Sequence, residues 1–205
     1  MTGQTHETQD TRDRIFRTAA ELFAERGYAS VSMREIAEAV GVSKPMLYYY
    51  FESKQGILEA LLDSGVDCMT EAMERIVSSE GSIEDKLREM VRVRFRFARE
   101  NPDIIKFYMD TFNDPSTKDM VHRHLERSKA VMRMADNLIA EGQARGRLRA
   151  DLDPSVVSNS ILGVTGMYMG LNLRMGAPSL TDSLADELFG LLMDGARPRE
   201  VRTLN

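Results

Sequence analysis

A chain of 205 residues, 42% hydrophobic and 29% charged, has the balance of a folded globular protein rather than a disordered one. It is long enough for one large domain, or for a small one joined to a larger one. One cysteine, Cys68, excludes an intramolecular disulfide, and a net charge of −5 argues against holding nucleic acid by bulk charge alone.

The first residues, MTGQTHETQDTRDR, contain no apolar stretch of the signal-peptide kind. A reducing cytoplasm is therefore the expected compartment. Residues 1–10 and 198–205 read as disordered ends. Residues 154–173 carry no charge, but Pro154, Ser155, Ser158, Asn159, Ser160, Thr165 and Asn172 suit hydrocarbon poorly. A buried helix is expected there, and no membrane partner.

Residues 12–26 place Ile15, Ala19, Leu22 and Phe23 at helical spacing, and Gly27 follows as a stop. Ser32 with Glu35 three residues on reads as a capping box, with Val31 and Ile36 as its hydrophobic staple. The helix it opens ends at Gly41, which gives the backbone freedom for a tight turn. Ser43 can cap the next helix, with Pro45 in its first turn, where a missing N–H costs nothing. Helix, glycine turn and helix within about twenty residues make a helix-turn-helix. Seven basic residues against six acidic ones over 11–54 make this the less acidic part of the chain.

The run Leu47-Tyr48-Tyr49-Tyr50-Phe51 divides at about 100° per residue. Leu47 and Phe51 share the core face, Tyr50 lies on its flank, and Tyr48 and Tyr49 turn outward. Two adjacent outward tyrosines suit rings that pack on sugars or thymine methyls and hydroxyls that reach phosphates. The competing expectation is that both cover a neighbouring helix. Lys54, in the first turn of a helix reaching about Val77, sits at a natural phosphate position.

Further helices follow from Ser82, from Asn101-Pro102, from about Thr117 to Arg145, from Asp153-Pro154, and over about 181–196. In the first of these, VRVRFRF mimics a strand, yet Arg88, Arg92, Arg96 and Arg99 recur at three and four while Leu87, Val91, Phe95 and Ala98 line another side. Arg92, Arg94 or Arg96 can face a pocket and bind an anion, or pair with nearby acids. Val157, Ile161, Val164, Tyr168, Leu171 and Met175 alternate four and three, the seam of paired helices. Gly163, Gly166 and Gly170 would admit a close backbone. Phe95, Phe107, Tyr108, Phe112, Met132, Met167 and Tyr168 can line an apolar ligand pocket or serve as ordinary core. His122 and His124 diverge on a helix, and neither a metal nor another cofactor is expected. No phosphate-binding loop or nucleophile motif is present, so no enzyme is expected.

The stretch RIFRTAAELFAERGYASVSMREIAEAVGVSKPMLYYYFESKQGIL resembles the tetracycline-repressor (TetR) family of bacterial transcriptional regulators. The resemblance rests on the first-helix pattern, the Gly27-Tyr28 turn, the helix opened by Ser32, Gly41-Val42-Ser43-Lys44, and the tyrosine run through Lys54. It implies an all-α fold of about nine helices, with a three-helix DNA-binding domain over 11–56 and a ligand-binding and dimerisation domain over 57–197. It also implies a homodimer through helices at about 154–175 and 181–196, a cavity for a small-molecule inducer, and double-stranded DNA with a palindromic operator as partner. By position, Ser32, Arg34 and Lys54 would meet phosphates. Lys44, Pro45, Tyr48 and Tyr49, with Ser43 beside them, occupy recognition-helix contact positions. Pro45-Met46 departs from the glycine or small polar residue common there, which leaves base preference open. An activator, a helical adaptor or an α-helical enzyme is the alternative reading.

Overall fold

The computed structural model describes residues 2–114 and 117–197, with side chains from Asp10 onward. The described residues form nine α-helices and one short 3-10 helix, Tyr28–Ser30, without a strand among them. The helices are α1 (Thr2–Arg26), α2 (Met33–Val40), α3 (Lys44–Tyr50), α4 (Lys54–Ser78), α5 (Ile83–Glu100), α6 (Pro102–Asn113), α7 (Lys118–Ala144), α8 (Pro154–Met175) and α9 (Asp182–Ala196).

One difference from expectation concerns the N-terminal end. The arm expected as disordered over 1–10 is helical backbone from Thr2 onward. Between Gly3 and Gly27 the chain has neither glycine nor proline, so nothing local stops α1 from extending toward the N-terminus. The tail expected over 198–205 lies outside the described residues.

The helices fall into two units. The first takes residues up to Asp67 together with Pro102–Arg127, so the boundary expected between 56 and 57 lies inside it. Its core joins Ile15, Ala19 and Phe23 of α1 to Ile36, Ala37 and Val40 of α2, Leu47 of α3, and Ile57 and Leu58 of α4. Small Ala37, 2% exposed, sits among these larger side chains. Helix α6 packs along α1, with Phe107 and Phe23 stacked at 5.9 Å between ring centres. Each buried side chain of this size contributes roughly 1.5–3 kcal/mol relative to exposure.

The second unit takes Cys68–Asn101 and the residues from Ser128 onward. Here α5, α8 and α9 pack on one another. Arginines of α5 reach acids of α9: Arg92 makes a two-pronged pair with Asp186 at 2.8 and 2.6 Å, and Arg99 meets Asp182 at 3.2 Å.

The seam expected on α8 is only half buried. Val157 and Ile161 lie inside, but Val164, Tyr168 and Leu171 are half-buried, and Met175 is exposed. The inward stripe instead runs through Val157, Ser158, Ile161, Thr165 and Met169. A straight α-helix drifts from a strict 3.5-residue repeat, and two hydroxyl residues fit the interior because each is satisfied there. Ser158 donates to Asp136, and Thr165 donates to the Ile161 carbonyl at 2.8 Å.

Candidate nucleic-acid interface

The site begins with how α2 is fixed at both ends. Ser32 is its N-cap, with a complete capping box: the Ser32 hydroxyl accepts from the Glu35 amide, and the Ser32 amide donates to the Glu35 carboxylate at 2.8 Å. The Ser32 hydroxyl also donates to that carboxylate at 2.7 Å, and Arg26 from the end of α1 pairs with it at 2.7 Å. Ser32's hydroxyl first, then Arg26 and the Ser32 amide, hold the Glu35 carboxyl down to about 2. At the other end, Arg14 of α1 donates to the Val40 carbonyl at 2.6 Å, a cation where the helix dipole is negative.

Gly41 makes the turn. It lies at φ 77° and ψ 34°, the left-handed region, and its amide returns to the carbonyls of Ala37 and Glu38. Ser43 then caps α3 by accepting from the Met46 amide at 3.2 Å, with Pro45 in the first turn.

Helix α3 separates its faces as the 100° rule requires. Leu47 is 0% and Phe51 6% exposed, whereas Tyr48 is 50% and Tyr49 77% exposed. Tyr50 is half-buried, packs against the core, and supports Tyr49 edge-on at 5.3 Å. Neither Tyr48 nor Tyr49 is covered by a neighbouring helix. Lys44, Pro45 and Met46 are exposed beside them. The result is a short platform of two phenols, one lysine and a methionine on a helix whose other side is locked into the core.

The positions expected to meet phosphate are more occupied than their sequence suggests. The Ser32 hydroxyl is used twice within the capping box, and Arg34 pairs with Glu38 at 2.6 Å on the open surface. An exposed pair of this kind is worth little and is readily exchanged. Lys54 turns back to the Tyr28 carbonyl at 2.8 Å and lies 4.3 Å from the centre of the Tyr28 ring. Burial lowers its pKa. It ties the start of α4 to the turn after α1.

The seven candidate pocket residues are divided between the two units. Phe107, Tyr108 and Phe112 belong to the first unit, and Phe95, Met132, Met167 and Tyr168 to the second. Phe107 is core, and the Tyr108 hydroxyl donates to the Leu61 and Leu62 carbonyls. Phe112 and Met167 are 43% and 63% exposed. Phe95 is fully buried in the second unit, while Met132 and Tyr168 are half-buried. In the second unit a surface cleft of about 520 Å³ lies at Ser82, Ile83, Glu84, Arg145 and Arg147.

The three arginines weighed as anion ligands part company. Arg92 is paired with Asp186, and Arg96 with Glu89 at 3.4 Å. Arg94 donates to the Thr165 hydroxyl at 3.2 Å and meets no carboxylate among the described residues. Arg14 was not foreseen at all, because no local pattern points from residue 14 to residue 40. Among the described residues no group of three potential metal ligands is assembled, and no helix is long and apolar enough to cross a membrane.

Residues 15–61 match the model of the bacterial regulatory proteins, tetR family, and residues 80–169 match that of the tetracyclin repressor-like C-terminal domain. A solved transcriptional regulator of the TetR/AcrR family from Thermobifida fusca is 30% identical, with 92% of this chain and 100% of that one covered at a TM-score of 0.67. The transcriptional repressor KstR2 of Mycolicibacterium smegmatis is 24% identical over 184 residues, covering 90% of this chain and 89% of that protein. The regulator FadR from Bacillus subtilis, solved in complex with stearoyl-CoA, superimposes with a TM-score of 0.77 at 20% identity, over 89% of this chain and 97% of the other.

Proposed function

We propose that this chain, which belongs to the TetR family of bacterial regulatory proteins, is a repressor that docks as a homodimer on a palindromic operator and is released by a small, largely apolar molecule. The observation that carries the reading is the exposure of Tyr48 and Tyr49, 50% and 77%, on a helix whose opposite side is closed. With Lys44 beside them, they make a reading edge on a helix of the kind that enters the major groove. Lysine donates to guanine or phosphate, and the phenol rings meet thymine methyls. No side chain of the platform has the two-pronged reach of arginine to guanine, so DNA shape carries more of the selectivity.

Homodimerisation is supported by the outer side of α8. Val156, Gly163, Met167 and Gly170 fall on one stripe about 180° from the inward one. Val156 and Met167 are 58% and 63% exposed, and Leu191 of α9 is 72% exposed. An exposed apolar stripe with small residues along it suits a contact between two copies. Two copies joined there place two reading edges on one duplex, with half-sites about one helical turn apart or somewhat more.

A ligand releases DNA only if it prefers the conformation with misplaced reading edges, typically by roughly 1–3 kcal/mol. The stearoyl-CoA bound to the B. subtilis relative supports an amphiphile as the effector. The protein then acts in the cytoplasm and catalyses nothing. An electrophoretic mobility shift with the DNA flanking its own gene tests the reading. A retarded band with a two-fold symmetric footprint that outcompetes unrelated DNA is expected, and retention of all sequences alike would overturn it.

A further inference from the structure

Arg94 is half-buried and lies on the inward stripe of α5. On α5 the spacing Leu87, Val91, Arg94, Ala98 is four, three, four, the spacing of a buried stripe. At about 100° per residue, Arg94 falls between Met90 and Ala98. Leu87, Met90, Val91 and Ala98 are all buried. The other arginines of this helix, Arg88, Arg92, Arg96 and Arg99, lie on the far side and each meets a carboxylate.

Arg94 meets none among the described residues. Its Nε donates to Thr165 Oγ1 at 3.2 Å, and Thr165 is itself 0% exposed on the inward stripe of α8. The surrounding protein pulls the guanidinium down to about 10, with burial as the cause. A guanidinium drawn partly out of water without a counter-charge costs stability, and no carboxylate among the described residues repays that cost.

We propose that Arg94, oriented by Thr165, is the counter-charge for an oxyanion carried by an apolar ligand bound in the second unit, so that the effector is an anionic amphiphile. This rests on the reading of the chain as a ligand-released regulator and narrows its ligand to a chemical class. The apolar body is matched by Leu87, Met90 and Ala98, which flank Arg94 on the same side of α5, and the oxyanion by the two-pronged guanidinium donor set. A free carboxylate and the phosphates of a coenzyme thioester offer the same oxyanion chemistry.

The test uses the full chain, thermal melts and titration calorimetry with dodecanoate, dodecanoyl-coenzyme A and dodecanol, in wild type and in Arg94→Met and Arg94→Lys. Removing an uncompensated charge should raise the melting temperature of the free Arg94→Met protein. The same variant should lose at least tenfold in affinity for the anionic amphiphile while its affinity for dodecanol stays unchanged, and Arg94→Lys should recover part of the loss. Arg94-dependent binding of dodecanoate assigns the oxyanion to a free acid, and dependence seen with the thioester alone assigns it to the coenzyme phosphates. Either supports the proposal. If the variants bind the anions as wild type does, or if Arg94→Met melts lower than wild type, Arg94 is structural and the proposal falls while the ligand-release reading stands. If dodecanol and both anions leave wild type unaltered, the amphiphile reading falls with it.

Discussion

Tyr108 fills the notch that Gly65 leaves open. A Cβ at Gly65 would lie 1.8 Å from the Tyr108 hydroxyl oxygen, which donates to the carbonyls of Leu61 and Leu62 at 3.0 and 2.9 Å. Helix α6 is thereby keyed to α4 at one position, within the same unit as the reading edge. Gly65→Ala should expel the phenol and cost both hydrogen bonds. Overpacking of this kind costs roughly 1–3 kcal/mol, which exceeds the roughly 1 kcal/mol that alanine gains over glycine in a helix. Urea denaturation should show the loss. Tyr108→Phe combined with Gly65→Ala should cost less than the sum of the two single changes, because both remove the same contact.

Tyr49 separates recognition from folding. At 77% exposure its truncation removes little packing, and surface changes usually stay within about 0.5 kcal/mol. Tyr49→Ala should leave the melting temperature nearly unchanged and reduce operator affinity at least tenfold, about 1.4 kcal/mol. Leu47→Ala, two residues away and fully buried, should lose roughly 2–5 kcal/mol of stability. Melting curves beside mobility shifts on the same two proteins read both effects. Wild-type operator affinity in Tyr49→Ala would remove the phenol from the reading edge.

Glu35 gives a signed pH dependence. Its carboxyl is lowered from 4.5 to about 2 by Ser32 and Arg26, so the folded form binds its proton less readily than the unfolded one. The stability it contributes is fully present above about pH 4.5 and is lost as pH falls toward 2. Glu35→Gln should therefore melt below wild type at pH 7, with a constant gap down to about pH 5 that closes on further acidification. Melts across that range check it. A gap that widens with acid would reverse the assignment.

These three sites differ in how far the sequence alone reveals them. The capping box at Ser32 and Glu35, the turn at Gly41, and the split of Leu47 and Phe51 from Tyr48 and Tyr49 follow from contacts within four residues and from helix periodicity. Each appears where the pattern places it. The bond from Arg14 to Val40, the return of Lys54 to Tyr28, and the bond from Tyr108 to Leu61 join residues from 26 to 47 apart. No periodicity connects such partners. Arg94 is an intermediate case: its place on the buried stripe is legible from Leu87, Val91 and Ala98, but assigning Phe95 to that side hid it. Which members of the aromatic set share a unit is not legible either, because composition carries no information about which unit a helix joins.

Gly163 bears on assembly. A Cβ there would meet nothing of this chain within 4 Å, and the residue is exposed on the same outer stripe as Val156 and Met167. Nothing within the protomer exploits its small size, so a large side chain should be tolerated by the monomer fold and resisted only by a partner. Gly163→Leu also raises helix propensity, by roughly 1 kcal/mol relative to glycine, so the isolated protomer should melt no lower than wild type. In the proposed homodimer the contact should suffer, because the added isobutyl group would separate backbones that approach across the stripe. Sedimentation velocity should then report a monomer at concentrations where wild type is dimeric, with an unchanged helical circular dichroism spectrum and loss of binding to the two-half-site operator. A dimer of wild-type strength in Gly163→Leu would place the interface on another face of α8 and α9.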